Sequence, residues 1–197
     1  MNGPSFRVRV EPSIQSIPKE IWDACASGIP ARNGSAKGLS GLPNSAASPA
    51  TSINPFVTHD FLLSLEESGA ATARTGWAAR HLLVEDETGT ALAAMPAYLK
   101  NHSRGEYVFD QGWAEAFERA GGDYYPKLQV SVPFTPVTGP RLLVRAGPSA
   151  NATREALIAG ALELVKREHA SSLHITFPAE TEWKYLSELG LLARTDR

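Results

Sequence analysis

Cysteine is almost absent: Cys25 is the only one in 197 residues. An intrachain disulfide framework is therefore excluded, as is a zinc site built from several thiolates, and a reducing, intracellular location fits. Long apolar runs are missing too. No segment approaches the roughly 20 apolar residues of a membrane span. The opening Met1-Asn2-Gly3-Pro4-Ser5-Phe6-Arg7-Val8-Arg9 alternates charged and apolar residues where a signal peptide needs an unbroken apolar stretch. A cytoplasmic protein without a membrane span is the expectation. Excess charge of one sign is also lacking. The 19 Lys and Arg face 21 Asp and Glu, which gives no electrostatic case for coating nucleic acid or an acidic membrane surface. What is present, 43% hydrophobic and 20% charged residues, is close to an average globular domain and can bury a core.

Phe6, Val8 and Val10 alternate with Arg7 and Arg9, which predicts a first strand. Pro18, the shared face of Ile21, Trp22 and Cys25, and Gly28 predict a short helix. From Ile29 to Ser52 the chain is rich in Ala, Gly, Ser, Pro and Asn, and residues 29–52 read as a flexible low-complexity insertion. Thr58 is placed to cap a helix burying Phe61, Leu62 and Leu65, with Val57 stapled on Leu62 and Gly69 at the end. Arg80–Asp86 and Ala91–Lys100 read as a hairpin, in which Pro96 implies an edge position or a bulge.

Residues 101–140 hold seven of the sixteen aromatics, and only Asp110 to Ala120 looks helical. So long a loop in a compact domain is uncommon and often functional, so it is expected to wall a ligand pocket. Beyond it lie a strand over Arg141–Arg145, a helix from Asn151 burying Leu157, Ile158, Ala161, Leu162 and Val165, and an alternating strand with Leu173, Ile175 and Phe177. A helix through Trp183, Leu186 and Leu189 ends at Gly190, and Leu191–Ala193 could begin another strand. This order predicts an α/β chain, an α+β mixed sheet with at least one parallel crossover. The sheet would be incomplete at the C-terminus, and its open edge could pair two copies into a homodimer.

Longer motifs carry a resemblance. Asn54-Pro55-Phe56-Val57-Thr58-His59-Asp60-Phe61-Leu62, Arg80-His81-Leu82 and the run from Pro96 to Asp110 resemble the bacterial Fem-like (FemAB-type) family of peptidoglycan biosynthesis or recognition proteins. So do Glu118 to Leu128 and Val132 to Arg141, and the resemblance runs from about Asn54 to the C-terminus. It implies a GNAT-like acyltransferase fold. Members usually carry two such folds in tandem, so residues 1–197 would be a single first lobe with the second missing. The implied activity is N-acyl transfer to an amine, such as that of a peptidoglycan precursor, with aminoacyl-tRNA or acyl-CoA as donor in the full-length protein. The alternative is a non-catalytic module that binds a cell-wall precursor or another small ligand. Arg145-Ala146-Gly147-Pro148-Ser149-Ala150-Asn151 lacks the Arg/Gln-x-x-Gly-x-Gly/Ala order that holds a CoA pyrophosphate on backbone N–H groups, and Pro148 removes a donor. No cofactor is implied.

Acyl transfer to an amine needs a proton acceptor, stabilisation of the oxyanion and a proton for the leaving group. Glu106 or Asp110 could accept the proton if burial raises its pKa, and Tyr124 could act as an acid; these three are the candidate catalytic residues. Asp110 could equally cap the helix that follows it. His102 could take a proton near neutrality. Ser103 and Tyr125 are candidate substrate contacts, and Lys100, Lys127 and Arg141 could hold phosphate or carboxylate groups. His59, next to the Thr58 cap, could face the cleft. His102-Ser103-x-x-Glu106 has hydrolase residue types but no Gly-x-Ser-x-Gly elbow. His169 and His174, with no cysteine nearby, do not make a metal site.

Overall fold

A computed structural model describes residues 4–30, 53–108 and 110–195. Of the insertion expected at 29–52, residues 31–52 lie outside the described residues. The chain begins with β1 (Arg7–Glu11), α1 (Lys19–Ala26), α2 (His59–Glu67), β2 (Trp77–Ala79), β3 (His81–Glu85), β4 (Ala91–Met95) and β5 (Ala97–Lys100). It continues through α3 (Gln111–Arg119), β6 (Lys127–Val130), β7 (Leu143–Val144), α4 (Ala150–Arg167), β8 (Leu173–Ile175) and α5 (Glu180–Glu188).

Among the described residues two four-stranded sheets form, in the orders β1-β3-β4-β7 and β2-β5-β6-β8. All pairs are antiparallel except β6 with β8, which are parallel. Twice the chain changes sheet across a single residue, at Arg80 between β2 and β3 and at Pro96 between β4 and β5. Arg80 keeps its rung by donating its N–H to the Ala97 carbonyl at 2.8 Å. Pro96 has no N–H to give, so the ladder breaks there. The expected single strand over Ala91–Lys100 is thus two strands in two sheets, and Pro96 marks a sheet switch, not an edge. β4 lies inside its sheet, between β3 and β7.

The apolar face of α4, with Leu157, Ile158, Ala161 and Leu164, packs on Leu82, Val84, Ala93 and Met95 of the first sheet and on Leu128 and Val130 of the second. Full burial of such side chains contributes about 1.5–3 kcal/mol each, so α4 joins the two sheets. Leu83, Ala94 and Leu143 point to the other face and meet Trp22 and Cys25 of α1 and Leu62 of α2. Thr58 stands at the start of α2, yet its hydroxyl donates to the Pro55 carbonyl. The first N–H of α2, from His59, is instead taken by Asp23 Oδ1 of α1 at 2.8 Å. A carboxylate there also complements the helix dipole.

The 101–140 segment departs most from expectation. It contains α3 and also β6, an inner strand between β5 and β8. Lys127-Leu128-Gln129-Val130-Ser131 does alternate with period two, but both of its faces are buried. Residues 191–193 are irregular and start no strand.

Candidate functional site

The register of the second sheet decides which side chains meet. Trp77 pairs with Lys100, Ala79 with Tyr98, Tyr98 with Gln129, Lys100 with Lys127 and Gln129 with His174. Directly paired residues point to the same face. One face of this sheet is therefore built from Trp77, Tyr98, Lys100, Lys127, Gln129 and His174, while Ala97, Leu128, Val130 and Ile175 face α4. A polar face is ordinary when it is wet. Here Trp77, Tyr98, Lys100, Lys127 and Gln129 all have no exposed surface.

The segment after β5 covers that face and supplies its counter-charges. Gly105, at φ +79° and too close to Phe134 for a Cβ, turns the chain back so that Glu106 enters the layer. Phe134 N–H donates to the Gly105 carbonyl at 3.0 Å and pins the turn. Lys127 Nζ donates to Glu106 Oε2 at 2.7 Å, Asp110 Oδ2 at 2.5 Å and Ser103 Oγ at 2.8 Å. Ser103 Oγ and Tyr125 Oη lie 2.8 Å apart, and Tyr124 Oη donates to Asp110 Oδ2 at 2.8 Å. Lys100 has less. Its Nζ donates to the Arg104 carbonyl at 3.1 Å, sits 3.5 Å above the Trp77 ring, and is 3.9 Å from Glu106 Oε1.

Electrostatics follow from this asymmetry. Burial, only partly opposed by the Glu106 charge, pulls the Lys100 ammonium down to about 7. Burial pushes the Glu106 carboxyl above its ordinary range against the nearby Lys127 charge. Burial also works to raise Asp110, but hydrogen bonds from Lys127 and Tyr124 outweigh it and hold that carboxyl low. Glu106 Oε1 and Asp110 Oδ1 are buried without a hydrogen-bond partner, as are Trp77 Nε1, Tyr98 Oη, Gln129 Oε1 and Ser131 Oγ. Six of the nine such atoms among the described residues thus belong to this layer or its cover. Buried polar groups are nearly always paired, so their concentration here makes this layer the candidate site.

Seven of the ten candidate residues meet in one cluster: Lys100, Ser103, Glu106, Asp110, Tyr124, Tyr125 and Lys127. Asp110 stands at the start of α3 but makes no side-chain cap; its Oδ2 accepts from Lys127 and Tyr124 instead. His102 lies alongside, packed on Gly76, with Nδ1 accepting the Arg104 N–H at 3.1 Å. His59 is elsewhere. Its Nε2 lies 3.1 and 2.9 Å from the Ile14 and Ile17 carbonyls, which it ties to α2. Arg141 is also elsewhere: its buried guanidinium donates to the Thr176, Pro140 and Val137 carbonyls, and Glu182 accepts the Arg141 and Leu142 N–H groups. Both are internal ties, because His59 Nε2 and the Arg141 guanidinium are spent on backbone carbonyls.

Three members of the layer, Trp77, Gln129 and His174, fall outside the motifs. Only the alternation of Lys127, Gln129 and Ser131 hints at a polar inner face. The aromatic segment does fold over the sheet, but it closes the cluster, leaving Glu106 3% exposed. Concavities of about 350 Å³ beside Ser13, Glu66 and Arg80 and about 430 Å³ beside Phe6 and Thr88 lie apart from Glu106.

Comparison with known proteins now bears on this geometry. The family model for FemAB-like proteins, described as peptidoglycan biosynthesis/recognition, matches residues 13–197. The chain belongs to the FemAB-like family. The match takes in α1 and α2 as well as every cluster residue, and so begins earlier than the motifs from Asn54 onward. No curated protein matches this FemAB-like chain in sequence. Among solved structures, a Pyrococcus furiosus protein described as an acetyl transferase is similar, with a TM-score of 0.51 and 12% identity over 98% of this chain and 97% of that one. Glucosamine-6-phosphate N-acetyltransferase from Arabidopsis thaliana follows, with a TM-score of 0.49 and 8% identity over 98% and 95%. At such identity the first of these shows the fold, a GNAT-type acyltransferase fold, and function must be argued from the site.

Proposed function

We propose that this FemAB-like chain is an acyl-transfer lobe that moves an acyl group onto an amine, with a peptidoglycan-precursor amine as acceptor. The observation that carries this reading is Glu106: a buried carboxyl with a raised pKa and one unpaired oxygen, set between two ammonium groups. Such a carboxylate can take the proton that an attacking amine must lose. The amine nitrogen forms the new C–N bond, the bond from the acyl carbon to its ester or thioester leaving group breaks, and the proton passes through Glu106 to that group. Lys127 and the Tyr124 hydroxyl, which here donate to Glu106, Ser103 and Asp110, would serve the oxyanion once those acceptors release them.

The donor is left as an activated acyl ester or thioester. The Arg145 guanidinium, which stands before α4, is already bonded to the Ile29, Pro30 and Ala91 carbonyls. The test is Glu106→Gln. Turnover of an activated acyl donor with an amine-bearing stem peptide should fall roughly 10²- to 10⁴-fold while circular dichroism stays native. Unchanged turnover would remove Glu106 from the mechanism.

A second reading, a recognition module, draws on the closure of the cluster: Lys127 gives its three hydrogen bonds to the chain itself. Thermal stabilisation by a peptidoglycan precursor with no transfer from acyl-CoA or aminoacyl-tRNA would favour it.

A further inference from the structure

The buried charges divide by origin. Both ammonium groups come from the sheet, Lys100 from β5 and Lys127 from β6, and they stand directly opposite each other in the ladder. Both carboxylates come from the covering segment, Glu106 from its turn and Asp110 from the start of α3. That cover is thinly attached. Ala114 is the one buried residue of α3, while Trp113 is 63% exposed and Phe117 47%. Glycines at positive φ, Gly105 and Gly121, flank the stretch and permit backbone rotations that other residues resist. The carboxylates also fit imperfectly, each leaving one oxygen buried and unpaired. An unpaired buried oxygen is costly, so this closed arrangement is one that a better-matched anion can replace.

We propose that Lys100 and Lys127 form a binding site for a phosphate-bearing ligand, and that Glu106 and Asp110 of the covering segment occupy it in its absence as internal substitutes for the phosphate oxygens. Two ammonium groups match a dianion in charge, and the Ser103 and Tyr125 hydroxyls beside Lys127 add neutral donors. The depressed pKa of Lys100 accords with this, because its ammonium is desolvated with no carboxylate in direct contact. When the phosphate binds, Lys127 releases Glu106, which becomes free to accept a proton. The last step rests on the acyl-transfer reading; the anion site does not.

The probe is inorganic pyrophosphate, followed by isothermal titration, thermal unfolding and hydrogen exchange on the full chain. In the wild-type protein, pyrophosphate should raise the unfolding temperature and at least double the exchange rate of α3 amides as the cover lifts. Glu106→Gln with Asp110→Asn should bind pyrophosphate at least tenfold tighter than wild type, and Lys100→Met with Lys127→Met should lose that binding. If the carboxamide variant folds poorly, pyrophosphate should restore its cooperative unfolding, since the anion replaces the missing counter-charge. Binding that is unaffected by removing both lysines would overturn the proposal, as would wild-type α3 exchange unchanged at 10 mM pyrophosphate, a roughly millimolar affinity limit. No acyl donor enters these measurements. A transferase assay that fails beside intact pyrophosphate binding therefore sinks the acyl-transfer reading alone, and the reverse result sinks only the anion site.

Discussion

The Lys100 ammonium rests 3.5 Å above the ring of Trp77, and Phe134 meets the same indole at 5.6 Å between centroids. Trp77 thus supports both the weakly paired lysine and the loop that holds the Gly105 turn. Its other close neighbour is Tyr98, edge-on at 5.3 Å.

Trp77→Ala is expected to cost about 3–5 kcal/mol, the usual range for emptying a buried aromatic site. The exposed Trp113→Ala should stay within about 0.5 kcal/mol. Urea unfolding of both variants checks this, and equal small shifts would mean that Trp77 is not the support described.

Gly105→Ala combines two penalties. The backbone is at φ +79°, and a Cβ would lie 2.5 Å from the Phe134 ring. The left-handed conformation alone costs an L-residue about 1–2 kcal/mol, and the clash adds to it. Gly69, at φ +77° with nothing within 4 Å, is the control: Gly69→Ala should show the backbone part only. Equal losses in the two variants would show that Phe134 gives way.

His174 carries a pH dependence. Burial first, then the Lys127 charge, pulls its imidazole down to about 4 from an ordinary 6.5. Between those values the unfolded chain binds a proton that the folded chain does not, so stability is lost as pH falls from 6.5 toward 4. The slope from one such group is at most about 1.4 kcal/mol per pH unit. His174→Gln should flatten the fall in unfolding free energy across this window, and a wild-type slope in the variant would assign the loss to other groups.

Arg141→Lys tests the reassignment of Arg141 from ligand contact to internal tie. A lysine cannot reproduce the fork that reaches the Thr176 and Val137 carbonyls. Stability should drop by about 2 kcal/mol or more, while pyrophosphate affinity should hold. The opposite pattern, with native stability and lost affinity, would return Arg141 to the binding site.

Much of the framework was legible in the residues. The α4 stripe of Leu157, Ile158 and Ala161 and the alternation at β1 and β8 are local patterns, set by the period of the backbone that carries them. The motifs around Tyr124, Tyr125 and Lys127 named most of the cluster. Three things were less legible. Asp23 caps α2 from another helix, so no local pattern could replace Thr58. Pro96 signalled a broken ladder, but not that the chain changes sheets there. β6 was hidden because strand reading takes the polar alternate residues to be wet, and here a covering segment dries them.

Sequence alone determined the element types and the supply of chemistry, because helical and strand periods, breakers and residue identities act over a few neighbours. Only the tertiary structure decided that Lys100 and Lys127 stand opposite each other, that Glu106 and Asp110 reach them from a separate segment, and that His59 and Arg141 tie backbone elsewhere. Strand register and the closure of a loop over a sheet are fixed by contacts between residues far apart in the chain. Charge pairing in a dry layer depends on those contacts, since Coulomb energy and desolvation change over a few ångströms.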